Sequence, residues 1–464
     1  MVETKVALSN GEFDTCEDTP IEVELQKDVT TLEQELSSSN VVVAIRRPAY
    51  ILPAIVGSQF AGTALWFAGN AVLPDLVEEW EALDESSLSY LTSSVQFGFI
   101  LGTFVFALLS IADKFLPTNV FMICALAGAT CNALLPICSP TESLTGLIVL
   151  RLSTGFFLAG IYPVGMKIAA DWFQTGLGKA LGWLVGALAF GSSFPFLLRQ
   201  IPQSWQALIW ETSGIATIGG LVIGLLVPNG PYRKAGKRGL DPSVVYTLFQ
   251  DRRFAAAAVS YWGHMWELYA FWTWTPVVWE AYLNDKNDDR WSPSFVTFSV
   301  IAIGGLGCVV GGYLSLRYGS AAVAFGTLAI SGTLCLLSPL LYITTAPIGF
   351  VFACYLIWGM AVVADSPQFS TLVAQYAPAE SKGTALTIVN CVGFAVTIGS
   401  IQLLAVPLPE KYLFLLLVPG PIIGLYSLWV HHIRDQEGSS NSKDNYEKSL
   451  NSLNEDAIIS DPNM

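Results

Sequence analysis

The chain has 464 residues, of which 53% are hydrophobic and 13% charged. That is about half the charged fraction of an average soluble domain and excludes an ordinary soluble globular fold. The net charge of −14 does not describe the whole chain: residues 1–45 and 435–464 together hold −13 of it, so no basic macromolecular partner is implied for the apolar remainder.

The first 45 residues carry ten Asp or Glu against Lys5 and Lys27. Few aromatics interrupt their polar composition, and a disordered acidic tail is expected. They contain no apolar core of a signal peptide, and their acidity argues against a transit peptide. The first apolar run is therefore expected to serve as its own insertion signal.

Twelve apolar runs follow, near Tyr50–Leu73, Leu88–Ala112, Thr118–Cys138, Leu144–Trp172, Ala180–Leu198, Ala207–Val227, Phe254–Trp279, Ser294–Leu316, Ala321–Ile343, Gly349–Ala374, Ala385–Leu404 and Tyr412–Val430. Each approaches the roughly 20 residues needed to cross a bilayer. A lipid-embedded backbone must satisfy its own hydrogen bonds, and these runs are too long and too uniformly apolar for barrel strands, so all twelve are expected to be helices. The predicted organisation is a six-helix bundle over 46–228, a basic linker over 229–253, a second six-helix bundle over 254–434 and an acidic tail over 435–464.

Lys and Arg near the ends of the runs fall mainly on one side: thirteen, from Arg46 to Arg434, against Arg199, Lys286, Arg290 and Lys411 on the other. By the positive-inside rule both termini are expected in the cytoplasm, in a plasma or organelle membrane. Of eight cysteines, none forms a CxxC or a Cys/His cluster. They read as small packing residues, and neither a metal nor another cofactor is expected.

The two sets of six repeat one another. TGFFLAGIYPVGM and WGMAVVADSPQFS superpose Gly155 on Gly359 and Pro163 on Pro367, and GKAL at Gly178 matches GTAL at Gly383. The loops LSIADKFL and GYLSLRYG also align, and together they resemble the G-x-L-A-D-R-x-G pattern of the major facilitator superfamily. The first copy keeps Ala112, Asp113 and Lys114; the second keeps Gly312, Leu314, Arg317 and Gly319, with Leu316 in place of the acid. Arg151 and Gly155 match the R-x-x-x-G core of that family's fourth-helix motif. The resemblance covers about residues 48–434. It implies an all-α fold of two pseudo-symmetric six-helix bundles around a central cavity, with Asp113, Lys114 and Arg317 as conformational-latch candidates.

Ionisable groups inside the runs are costly and mark functional candidates. His264 and Glu267 lie in YWGHMWELYAFW, roughly 16 and 21 Å from Arg253 along a helix. Three residues apart, they point to about the same face and could share a proton, or could clamp helices together. Asp365, in ADSPQFS beside Gln368, also falls near the midplane, next to a proline that removes a backbone donor; the alternative is a simple kink with Asp365 paired to a base. Arg151 could pair with an acid or attract an anionic solute, and Lys167 could pair with Asp171 or snorkel. Gln59, Asn70, Gln96 and Asn390 could bond a solute or join helices. Among the tryptophans, Trp266 beside the His264 and Glu267 pair is the candidate for lining a site.

These features predict a secondary active transporter of a small solute, proton-coupled through His264, Glu267 or Asp365, with cavity candidates Arg151, Asn70, Gln96, Trp266, Asn390 and Gln368. It is expected to act as a monomer in a lipid bilayer, with no nucleic-acid partner. No Walker pattern, HExxH or nucleophile motif is present, which argues against ATP use or an intramembrane enzyme. A uniporter of the same fold and a non-transporting receptor or scaffold are the alternatives. HMWELY and MKIAADWF resemble prokaryote-type small-solute carriers, which brings nitrate and nitrite porters into comparison. Those porters carry arginines within spans two and eight and Asn-Gly signatures in five and eleven. Here span two has no arginine, Arg317 ends span eight and GALAFGSS lacks the asparagine.

Overall fold

The structure, a computed structural model, describes residues 48–430 except 82, 85, 86, 142, 174, 175, 234–242, 379 and 380. Both acidic tails and residues 234–242 of the linker lie outside the described residues.

The described residues form helices and connecting turns, without strands. Eleven segments are long and apolar enough to cross a membrane: Ile51–Glu79, Ser87–Leu108, Pro117–Cys138, Leu144–Trp172, Leu177–Leu198, Trp205–Leu226, Pro293–Tyr318, Ser320–Ile343, Ile348–Tyr376, Lys382–Leu403 and Glu410–Leu428. The twelfth, Arg252–Lys286, is the seventh in chain order and the longest single helix, at 35 residues. His264, Glu267 and a high density of Trp and Tyr make it less apolar than its neighbours. Asp251 caps its start, accepting from the N–H of Arg253 at 2.7 Å and of Phe254 at 3.3 Å, and Asn287 ends it with a left-handed turn at φ 49°. Apolar length alone ends this span at Trp279, too early, because Pro276 is absorbed inside the helix and the charged end continues it.

Large apolar side chains such as Ile123, Ile218, Leu225 and Ile357 are exposed on the outer surface. In lipid these faces are as well solvated as the core, which is why the helices are apolar all round.

Spans four and ten are each two helices: Leu144–Leu158 with Tyr162–Trp172, and Ile348–Ala364 with Ser366–Tyr376. Pro163 and Pro367 sit in the first turn of the second halves, the helical position where a missing N–H costs least. The breaks therefore fall at equivalent places in the two repeats. Helix crossings repeat as well. A Cβ on Gly155 would lie 2.1 Å from the carbonyl oxygen of Val95, and one on Gly359 would lie 2.0 Å from that of Val300. Spans two and four, and spans eight and ten, thus cross backbone to backbone at glycine.

Span one also breaks, at Ala64–Phe67 between Ile51–Thr63 and Ala68–Glu79. No proline causes it. The halves of the molecule meet along spans five and eight, where Gly186 and Gly305 face each other, and along spans two and eleven, where the rings of Phe99 and Phe394 lie 4.5 Å apart. A short helix, Ser243–Gln250, occupies the described end of the linker, with Phe249 packed on Phe254 and Trp262.

Valine at position 155 or 359 is expected to destabilise the purified protein by about 1–3 kcal/mol, the usual cost of overpacking. At Gly326, inside a helix, a methyl group would meet no atom within 4 Å, and alanine there, the better helix former, is expected to melt no lower than the parent. Thermal unfolding in detergent checks both.

Candidate functional site

A cavity of about 1460 Å³ lies between the two halves. Its walls include Asp113, Lys167, Lys179 and Lys382 from the ends of spans two, four, five and eleven, so it opens on the face that carries the 2–3, 4–5 and 10–11 loops, here termed the basic face. Tyr162, Tyr261, Met265, Tyr269, Trp272 and Phe394 line its deeper part.

Aromatic side chains close the far end. Trp66 and Phe99 of the first half meet Tyr269 and Phe394 of the second, with ring centroids 4.5 to 5.8 Å apart, and Phe67 meets Trp272 at 6.1 Å. Beyond this seal, toward the opposite face, Ser89 donates to Gln402 Oε1 at 3.3 Å and Gln402 Nε2 donates to Ser93 at 2.8 Å. Gln200 Nε2 donates to Ser292 at 3.1 Å. The arrangement is a central site open to one face and shut to the other.

The break in span ten places Asp365 and Ser366 against span seven. His264 Nε2 lies 2.6 Å from Ser366 Oγ, and His264 Nδ1 lies 2.9 Å from Asp365 Oδ1, out of line for a straight hydrogen bond. His264 and Asp365 are fully buried, flanked by Tyr261 and Phe369. Ser366 is half-buried and lines the cavity. Two ionisable groups without direct access to the cavity are thus joined to it through one hydroxyl. Beside them, Tyr261 donates to Asn390 Oδ1 at 2.5 Å, and Asn390 and Gln368 line the cavity.

Glu267 does not belong to this group. Its carboxylate accepts from Trp358 Nε1 at 2.7 Å and from Ser331 Oγ at 3.0 Å, inside the second bundle and away from the cavity. The expected sharing of a proton between His264 and Glu267 is not what the side chains do: one turns to span ten's break and the other to spans nine and ten. Trp266 also turns away, donating to Leu416 O of span twelve at 3.2 Å.

Arg151 does not line the cavity either. It is fully buried and reaches the break in span one, where it donates to Leu65 O at 3.0 Å, to Trp66 O, and to Asn132 Oδ1 at 3.2 Å. Those carbonyls have lost their helical partners, and the planar guanidinium satisfies both. Asn132 in turn bonds Ile209 O, Thr212 and Ser213 of span six. Packing against the Arg151 side chain leaves only 3.0 Å for a Cβ at Gly69.

Asn70 joins spans one and two, donating to Thr92 at 2.6 Å. Gln96, on span two, is fully buried with neither amide atom bonded. Of the latch candidates, Asp113 pairs with Lys167, the lysine expected to reach Asp171 or to snorkel. Lys114 is exposed. Arg317 lies 5.3 Å over the ring of Tyr318, and among the described residues no ion pair holds it. Ser366 and Tyr261 were not singled out from sequence; the signal for Ser366 was its place between an acid and a proline.

The profile of the Major Facilitator Superfamily matches residues 54–400. The chain belongs to that superfamily. A crystal structure of the nucleoside transporter NupG superposes on 82% of this facilitator and on 100% of its own chain, with a TM-score of 0.63 at 14% sequence identity, a likeness of fold. The benzoate transport protein of Acinetobacter baylyi is 23% identical over 318 residues, which are 58% of this chain and 65% of that protein. The chain thus aligns with just under two thirds of that relative's length. This facilitator is a multi-pass membrane protein with the helical fold of that superfamily.

Removing the Arg151 guanidinium leaves three buried acceptors without their donor. At about 1–3 kcal/mol for each unsatisfied group, Arg151→Leu is expected to cost at least about 3 kcal/mol, and Arg151→Lys, with one ammonium in place of the fork, less. Melting curves of the two variants in detergent, set against the parent, measure the order.

Proposed function

We propose that this facilitator is a proton-coupled symporter of a small organic acid. The observation that carries the reading is the chain from the cavity through Ser366 Oγ to His264 and Asp365. Without an added proton, a neutral imidazole beside a carboxylate leaves a net negative charge in a site away from water, which is costly in a low-dielectric interior. One added proton makes the pair neutral overall, whichever partner holds it. A pair that must be neutral before the halves rock past it couples proton binding to the change of face. Glu267 is left as a clamp between helices.

The charge distribution supports a cytoplasmic position for both termini, which makes the open face the inner one. Three lysines line the cavity, and Asp113, the acid among the described lining residues, is paired with one of them. This favours an anion, and the aromatic walls favour a flat apolar body. The benzoate transport protein is a relative with a cargo of that kind, so an aromatic carboxylate is the solute class we assign. Nitrate is the less favoured reading, because no arginine is among the described residues that line the cavity. The cavity is enclosed by one chain, which fits a functional monomer.

In proteoliposomes, His264→Gln and Asp365→Asn are expected to lose accumulation of labelled benzoate driven by a pH gradient, by about tenfold or more, while keeping exchange of labelled for unlabelled solute. Ser366→Ala is expected to slow the driven uptake and spare exchange. Accumulation preserved in both His264→Gln and Asp365→Asn refutes the coupling, and a parent protein indifferent to the gradient is a uniporter.

A further inference from the structure

Beyond the aromatic seal the interface between the halves turns polar. Span two presents Ser89, Ser93, Gln96 and Phe99 toward span eleven at three- or four-residue steps. Ser89 and Ser93 bond Gln402, and Phe99 touches Phe394. Gln96 lies between these contacts by helical register. It is fully buried, and both amide atoms lack partners.

Span one adds two more such atoms at the same level. Asn70 spends its amide N–H on Thr92, one turn from Gln96, and its Oδ1 has no partner. Trp66 packs on Phe99, three residues from Gln96, and its Nε1 has no partner. Trp66 and Asn70 therefore flank Gln96 across the gap between spans one and two, and all three residues are at most 3% exposed.

Four unsatisfied polar atoms gathered in one place are unusual, because each costs about 1–3 kcal/mol. Amides in a closed interface between membrane helices ordinarily find partners on the neighbouring helix. Here the donors are the indole N–H and the Gln96 amide and the acceptors are Gln96 Oε1 and Asn70 Oδ1; the neighbouring guanidinium of Arg151 is turned to the carbonyls of Leu65 and Trp66. Such a set matches an uncharged group that both donates and accepts, such as a hydroxyl. It is shut off in this conformation and lies on the side that opens when the halves part at the far face.

We propose that Gln96, Asn70 and Trp66 form a hydrogen-bonding subsite that reads a hydroxyl on the solute as it arrives from the far face. The subsite adds specificity to the central cavity, whose tyrosines and lysines hold the body and the acid group. It rests on the reading of the solute as an aromatic carboxylate only for the choice of probes.

The test compares benzoate with its ring-hydroxylated derivatives, the three isomeric monohydroxybenzoates, as competitors of labelled benzoate uptake in proteoliposomes. In the parent, at least one hydroxylated isomer is expected to compete about tenfold more strongly than benzoate, and in Gln96→Met that ratio falls to near one. Gln96→Met, free of the orphaned amide, is also expected to melt no lower than the parent, which separates lost recognition from lost folding. A ratio unchanged in Gln96→Met, or a parent that takes up benzoate and distinguishes none of the isomers, overturns the subsite. If the parent takes up neither benzoate nor any isomer, the aromatic-acid reading fails. The subsite is then decided by labelling Gln96→Cys in sealed membranes with an impermeant maleimide applied at the far face. Labelling above the parent's supports a subsite that opens there, and labelling equal to the parent's refutes it.

Discussion

A helix that breaks inside a membrane leaves backbone groups with no water to receive them, and the working parts of this facilitator are arranged around two such breaks. Lipid tolerates an interrupted backbone only where protein answers it. In the first half the answer is the Arg151 guanidinium over the carbonyls of Leu65 and Trp66. This contact fixes the segment that carries Trp66 and Phe67, and those two rings form the first half's main share of the seal. The closed end of the cavity thus depends on a cation that touches neither the cavity nor any acid.

The second half uses the same pair of helices in the opposite sense. Spans one and four of the first repeat correspond to seven and ten of the second. In the first repeat span four sends a side chain into span one's break; in the second, span seven sends His264 to the break in span ten. Arginine holds its charge under all ordinary conditions and histidine does not. Duplication supplied the scaffold twice, and the two copies differ in the group at the break, a guanidinium in one and an imidazole in the other.

Much of the scaffold was readable from the residues. The apolar runs marked all twelve spans because length in lipid is set by bilayer thickness, and the glycine and proline offsets announced the repeat. Boundaries failed where a helix outran its apolar stretch, as in span seven, whose charged end continues to Lys286. The ionisable positions His264 and Asp365 were visible as residues that do not belong in lipid, but their pairing was not. Residues three apart on a helix diverge by about 60°, enough to send His264 and Glu267 to different neighbours. The part played by Arg151 was hidden because its partners are main-chain carbonyls, which every residue possesses. Trp266 misled for a related reason: aromatic character says nothing about the side of the helix on which a ring lies.

The meeting of Gly186 and Gly305 has a mechanical meaning. With no side chains interposed, the fifth and eighth spans touch along bare main chain at that level, so a small rotation there disrupts no interlocked knobs. The opposite seam, between spans two and eleven, is studded with aromatic rings and amide bonds that must part or re-form for any comparable movement. The molecule is therefore bound like a book, with a spine that is bare at the glycines and stitched beyond them by the Phe190–Phe298 contact and the Gln200–Ser292 bond, and a more heavily ringed clasp on the other side. At the far face the two covers are tied along both edges, with the larger share of rings at the clasp.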